Sequence, residues 1–93
     1  MNESPNLERE FSVASELGLH ARPAGQFVRL AGRFSAEITV SAHGEWVSAT
    51  SVLSLLSLAA GQGTRLKIRA SGAEAEEAIE ALGQLLEGPS EYA

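Results

Sequence analysis

Hydrophobic and polar positions along this chain follow two periods, and the switches between them mark out its elements. Between Arg9 and Ala14, Phe11 and Val13 alternate with Glu10 and Ser12, the period-two pattern of a half-buried strand. Gly18 breaks it. From Ala21 to Gly32 the apolar positions Ala24, Phe27, Val28 and Ala31 recur at i, i+3, i+4 and i+7, one face of a helix. Pro23 fits only in the first turn of that helix, where its missing N–H removes no intrahelical bond. Gly32 is placed to end it. Ile38 and Val40 then alternate with Glu37 and Thr39 as a second strand, His43-Gly44 reads as a turn, and Glu45–Ser48 completes a hairpin.

The apolar run from Val52 to Ala60 is rich in Leu and stops at Gly61-Gln62-Gly63, which predicts a short helix with Thr50 or Ser51 near its N-cap. In Thr64–Ala70, Leu66 and Ile68 alternate with Arg65, Lys67 and Arg69 as a fourth strand. Ala75, Ala78, Ile79, Leu82, Leu85 and Leu86 form a helical stripe from Glu74 to Glu87. Its acidic first turn suits the helix dipole, and Gly88-Pro89 ends it. The order is β-α-β-β-α-β-α, with no internal repeat. Four short strands, each with one apolar face, need a cover, and three helices can supply it on one side. The expectation is an α+β, open-faced two-layer sandwich: a four-stranded antiparallel sheet with its other face in solvent. Residues 1–7 read as an N-terminal arm, 8–87 as the domain and 88–93 as a short tail.

Composition narrows the function. Ninety-three residues make one domain with a thin core, which points to a site on the surface rather than in an enclosed cavity. The absence of cysteine excludes disulfides, thiolate metal sites and thiol redox chemistry. No apolar run approaches the roughly 20 residues of a membrane span, and the first residues lack the features of a signal peptide. A cytoplasmic protein with no membrane insertion is expected. The net charge of −5 disfavours nucleic acid as a partner. The charge is unevenly placed, however. Glu74, Glu76, Glu77, Glu80, Glu87 and Glu91 fall in the last twenty residues, whereas Arg22, Arg29, Arg33, Arg65, Lys67 and Arg69 precede them.

The most informative stretch is Leu17-Gly18-Leu19-His20-Ala21-Arg22-Pro23-Ala24, a histidine immediately before a helix start. Helix N-termini present N–H groups and partial positive charge, which suit an anion such as a phosphoryl group. Arg22 could pair with phosphoryl oxygens, and Gly18 would let the backbone turn sharply and expose the ring. Taken alone, the arrangement also fits a histidine that merely caps the helix, the commoner circumstance.

The segment Gly18–Ala24 resembles the phosphorylation-site signature of the HPr family, the histidine-containing phosphocarriers of the bacterial phosphoenolpyruvate-dependent sugar phosphotransferase system. The similarity continues through Gln26-Phe27-Val28, Glu37-Ile38-Thr39-Val40, Ser48–Leu55, Gly61-Gln62-Gly63-Thr64 and the last helix, covering roughly residues 8–87. That family's fold has the same element order. The resemblance implies that His20 accepts a phosphoryl group on Nδ1 from phosphorylated enzyme I and passes it to IIA units of sugar permeases. It implies that Arg22 assists, with the backbone amides of Ala21 and Arg22 holding phosphate oxygens. No metal or organic cofactor is implied. The chain would be a stoichiometric carrier rather than an enzyme, and a monomer.

Ser51 matches the family's regulatory serine, which in some bacteria is the target of an HPr kinase/phosphorylase; it equally suits a plain N-cap. Thr50, Leu53 and Ser54 depart from the residues common around that serine, and Leu17 stands where many sugar-system members have a small polar residue. Relatives of the nitrogen-related branch more often carry Leu there. Arg22, Gln26, Arg29 and Arg33 fall at i, i+4, i+7 and i+11, a basic ridge opposite the apolar stripe. With Val52, Leu53 and Ser54 beside it, this ridge would dock an acidic partner. Without the neighbouring site it would be an ordinary solvated helix face. His43 reads as a turn residue, Gly61-Gln62-Gly63 as a tight connection and Trp46 as a packing or sheet-surface residue. A regulatory module of the same fold, with phosphorylation selecting its partners, is the alternative reading. An independent hydrolase lacks an acid–base pair.

Overall fold

The computed structural model of the protein describes residues 6–88. Its elements are β1 (Asn6–Ser12), α1 (Ala21–Ala31), β2 (Glu37–Ser41), β3 (Trp46–Ser48), α2 (Val52–Leu56), β4 (Arg65–Ser71) and α3 (Ala75–Glu87), in the order predicted. The strands make a four-stranded antiparallel sheet in the order β1-β4-β2-β3.

Strand β4 shows how the sequence produces two layers. Its residues alternate, with Leu66, Ile68 and Ala70 buried and Arg65, Lys67 and Arg69 exposed. All three helices lie on the buried side. Ala24, Phe27 and Ala31 of α1, Leu55 of α2 and Ala78, Ile79 and Leu82 of α3 meet Ile38 and Val40 of β2 and the apolar row of β4 in one core. Phe27 is fully buried, a burial that contributes about 1.5–3 kcal/mol. Gly83 is small for a packing reason: a Cβ there would overlap the Phe11 ring.

The other face of the sheet is open and charged. Arg69 bonds Glu8 at 2.8 Å and lies 4.0 Å from the centroid of the Trp46 ring, and Arg65 reaches Glu10 at 3.3 Å. Trp46 is thus a sheet-surface residue held under a guanidinium. Exposed pairs of this kind are worth only about 0–1 kcal/mol each. The solvated face is therefore tolerated more than it is stabilising.

Two boundaries differ from the sequence expectation. Strand β1 begins at Asn6, so Asn6 and Leu7, read as part of an arm, pair with Ser71 and Ala70. Arg9 concealed this, because it takes a helix-side position between Leu7 and Phe11 and reaches Glu76 of α3 at 3.9 Å. Helix α2 ends at Leu56, not Ala60. Leu58 and Ala59 donate to Leu55 and Leu56, a three-residue spacing, and Ala59 adopts a φ of 52° that turns the chain away. Leu58 and Ala60 stay buried all the same, so apolar character persists where helix does not. The rest of the predicted arm and tail, 1–5 and 89–93, lies outside the described residues.

Candidate functional site

The histidine predicted at a helix start is there. His20 is the N-cap of α1, with extended backbone (φ −90°, ψ −168°) and no side-chain cap hydrogen bond. Its carbonyl accepts the first helical bond, from the Ala24 N–H at 2.9 Å. The imidazole is half-buried and makes no cap hydrogen bond, so the plain capping reading does not describe the side chain. Pro23 is buried in the first turn and has no N–H, which leaves the amides of Ala21 and Arg22 facing the helix end. The Ala21 and Arg22 residues are themselves exposed.

The chain before it fixes the backbone that carries His20. Gly18 has φ +76°, and an added Cβ would clash with the Ala60 carbonyl oxygen and stand 2.8 Å from Gly61 Cα. Leu19 is buried, and its N–H donates to the Ala60 carbonyl at 2.8 Å. The loop after α2 therefore forms a backbone support for the segment that carries His20. Gly63 N–H donates to Val13 O at 2.8 Å and Gln62 Nε2 to Ala14 O at 3.2 Å, holding the same loop to the end of β1. Ala14 N–H in turn donates to Leu86 O at 2.9 Å. Gly61-Gln62-Gly63 is thus more than a tight connection. Its pairing with Gly18, some forty residues earlier, had no local signal in the sequence beyond Gly18 itself.

Ser51 is the N-cap of α2, and its hydroxyl oxygen accepts the Ser54 N–H at 3.2 Å. Ser51 and Val52 are half-buried, Leu53 is exposed and Ser54 is half-buried. On α1, Gln26, Arg29 and Arg33 come together as predicted, lining a shallow groove of about 300 Å³ with Leu30 and Leu85. Arg22 and residues 52–54 do not line that groove, although α1 and α2 pack together. The basic ridge therefore runs along the α1–α3 seam, while the apolar patch belongs to α2. His43 is exposed at the tip of the β2–β3 hairpin, where Gly44 N–H donates to the buried Ser41 hydroxyl at 3.0 Å.

A two-layer sandwich that presents a half-buried, non-capping histidine at a helix start, on a segment braced by a distant loop, is the arrangement of a small carrier-type domain. Comparison with known proteins identifies its kind. Residues 7–88 match the family model described as PTS HPr component phosphorylation site, and the chain belongs to the HPr family of phosphocarriers in the phosphotransferase system. It is 42 % identical over 80 residues to the phosphocarrier protein HPr of Vibrio cholerae, covering 86 % of this chain and 94 % of that one. It is 40 % identical to the HPr-like protein Crh of Halalkalibacterium halodurans, over 87 % and 96 % of the two chains. The crystal structure of HPr from Bacillus anthracis superposes with a TM-score of 0.84 at 40 % identity, covering 87 % of this chain and 96 % of that one. Among the described residues no helix is long and apolar enough to cross a membrane.

Proposed function

We propose that this chain carries a phosphoryl group on His20, taking it from phosphorylated enzyme I and passing it to IIA units of sugar permeases. The observation that carries this reading is the placement of His20: at the start of α1, on a segment whose backbone is held to the loop after α2, with a side chain that makes no cap hydrogen bond. In the transfer the Nδ1 lone pair attacks phosphorus, the P–N bond to the donor histidine breaks, and that histidine keeps the electron pair. The reverse exchange at the acceptor returns His20 to its starting form. Such a loose transition state needs chiefly position and charge, which the Ala21 and Arg22 amides and the Arg22 guanidinium supply. The ridge of Gln26, Arg29 and Arg33 on α1 and the patch of Val52, Leu53 and Ser54 on the neighbouring α2 dock the partners. The protein acts as a cytoplasmic monomer without cofactor.

Ser51 is a second, regulatory phosphorylation site in this proposal. Its hydroxyl attacks the γ-phosphorus of ATP on a kinase/phosphorylase, ADP leaves, and about −1.5 to −2 charge is added. That charge would sit beside the exposed Leu53 and oppose docking of an acidic surface. The match to an HPr-like protein named Crh supports a second reading, in which phosphorylation of the chain selects regulatory or nitrogen-branch partners.

Incubation with phosphoenolpyruvate and the enzyme I of the same organism tests the main proposal. Intact mass should rise by one phosphoryl group, lost in acid and absent from His20→Ala. An active donor that leaves the wild type unmodified would remove the carrier reading.

A further inference from the structure

Strand β3 pairs with β2 only from Thr39 to Ser41. After Ser48 the chain leaves the sheet and reaches the N-cap of α2 at Ser51, so the lane beside the first residues of β2 is left open. Between that lane and the last turns of α1 lies a groove of about 570 Å³, within the range of about 300–1,000 Å³ usual for ligand sites. Val28, Ala31, Phe34 and Ala49 give it apolar walls, and Ile38 and Glu37 line it from β2. Ala31 is the last residue of α1, about 16 Å along the helix from His20. The groove is therefore at the other end of α1 from the histidine.

One backbone donor opens into it. Ala49 N–H donates to Ile38 O at 3.0 Å, so the Ile38 carbonyl faces the β3 side of the strand. In an antiparallel ladder the N–H and C=O of one residue point the same way. The Ile38 N–H therefore also faces the open lane rather than Ala70 of β4, its lateral neighbour. Ala49 does not close the pair, and among the described residues the Ile38 N–H has no hydrogen-bond partner. The chain entering β2 is held firmly from the opposite side. Ser35 N–H donates to the Glu74 carboxylate at 2.7 Å, Glu74 N–H donates to Ser35 O at 3.0 Å, and Gly72 is packed so closely that an added Cβ would stand 2.9 Å from Ser35 O. A strand edge fixed in this way loses little freedom when a ligand pairs with it.

We propose that the groove receives an extended segment of a partner protein, which adds to β2 in the lane that β3 leaves. A carbonyl of the segment accepts the Ile38 N–H, and strand alternation then dictates its side chains. Residues pointing to the side of the buried Ile38 meet Val28, Ala31 and Phe34 and are aliphatic. Those pointing to the other side stand with Glu37, which is exposed and makes no ion pair among the described residues; they are basic. The segment that fits alternates aliphatic and basic residues, the opposite charge to that which suits the arginine ridge of α1. Its recognition does not depend on what His20 carries.

Titration of the isotope-labelled protein with the peptide acetyl-Lys-Ile-Lys-Ile-amide, followed by amide NMR, tests the proposal. The Ile38 amide resonance should move saturably below about 10 mM peptide, and its hydrogen exchange should slow. Acetyl-Lys-Ser-Lys-Ser-amide, with the same charge and no aliphatic side chains, should leave Ile38 unmoved. In Glu37→Lys, a change at an exposed position, the Kd should rise at least about fivefold. Ala31→Leu should fill the groove and abolish the response; if that variant does not fold, Glu37→Lys carries the test alone. An Ile38 amide that ignores the first peptide, or answers the serine peptide equally, overturns the proposal, and so does unchanged binding by Glu37→Lys. An equal response to isovaleramide gives the groove to a small ligand, and the same shifts on concentrating the protein alone give it to a second copy; either result also overturns the proposal.

Discussion

Replacing Gly18 with alanine should destabilise the whole domain through one backbone contact. At φ +76° an L-residue costs about 1–2 kcal/mol relative to glycine. The new methyl would also clash with the Ala60 carbonyl and stand 2.8 Å from Gly61 Cα, and these are backbone atoms that cannot swing aside. Relief requires the segment to retreat from Ala60, which lengthens or breaks the Leu19 N–H bond to the same carbonyl. A lost hydrogen bond of this kind costs about 0.5–1.5 kcal/mol net. The two effects sum to about 1.5–3.5 kcal/mol, a large share of the roughly 5–15 kcal/mol that holds such a domain together. For a chain of this size that corresponds to a Tm lowered by about 6–28 °C. The assay is thermal unfolding beside Gly61→Ala, the matched control. A Cβ at Gly61 meets nothing within 4 Å, so that variant should stay within about 1 kcal/mol of wild type. Equal melting of Gly18→Ala and wild type would refute the brace.

Ala59 sits at φ 52° in the turn after α2 and is exposed. Ala59→Gly should therefore stabilise the protein by about 1 kcal/mol, seen as a higher urea midpoint at unchanged slope. The Ser35 N–H donates to the Glu74 carboxylate at 2.7 Å, clamping the loop after α1 to the start of α3. Glu74→Ala should cost about 1 kcal/mol in chemical denaturation, with Glu74→Gln recovering much of it. Ser51→Ala removes the N-cap bond to Ser54 and should cost about 1 kcal/mol. Phosphorylation of that variant by enzyme I should continue, and a loss of it would show that Ser51 serves the histidine chemistry as well.

The sheet and helices were legible because their apolar faces repeat. The alternation of Leu66, Ile68 and Ala70 and the 3.6-residue stripe through Ala24, Phe27 and Ala31 are local signals, and the structure buries those residues. Local signals failed where a single residue broke the rule. Arg9 hid the start of β1 by occupying a helix-side position, and the chain turns away after α2 inside a Leu-rich run, with Ala59 in a conformation that sequence propensity assigns to glycine. At the site, His20, Arg22 and Pro23 were readable from their order around a helix start. The support from Ala60 and Gly61 was not. It is made by backbone atoms whose partner lies far away in the chain, and backbone contacts leave no mark on residue type except the demand for glycine at position 18.

The same long-range ties keep the acidic first turn of α3 away from His20. Ala14 N–H bonds Leu86 O near the end of α3, while Glu74 N–H bonds Ser35 O beyond the end of α1. Helices α1 and α3 therefore run in opposite directions, with the start of one beside the end of the other. The acidic first turn of α3, Glu76 and Glu77, consequently lies at the far end of α1 from His20. Helix α1 has 11 residues, a length of about 16 Å, roughly twice the screening length of about 8 Å at physiological ionic strength. Glu87 is the glutamate of α3 nearest the His20 end, and its carboxylate accepts the Ser12 N–H at 3.0 Å. The net charge of −5 thus describes the molecule seen from a distance. Beside His20 in the sequence stand Arg22 and the exposed Glu16, one charge of each sign, while Arg29 and Arg33 lie farther along α1.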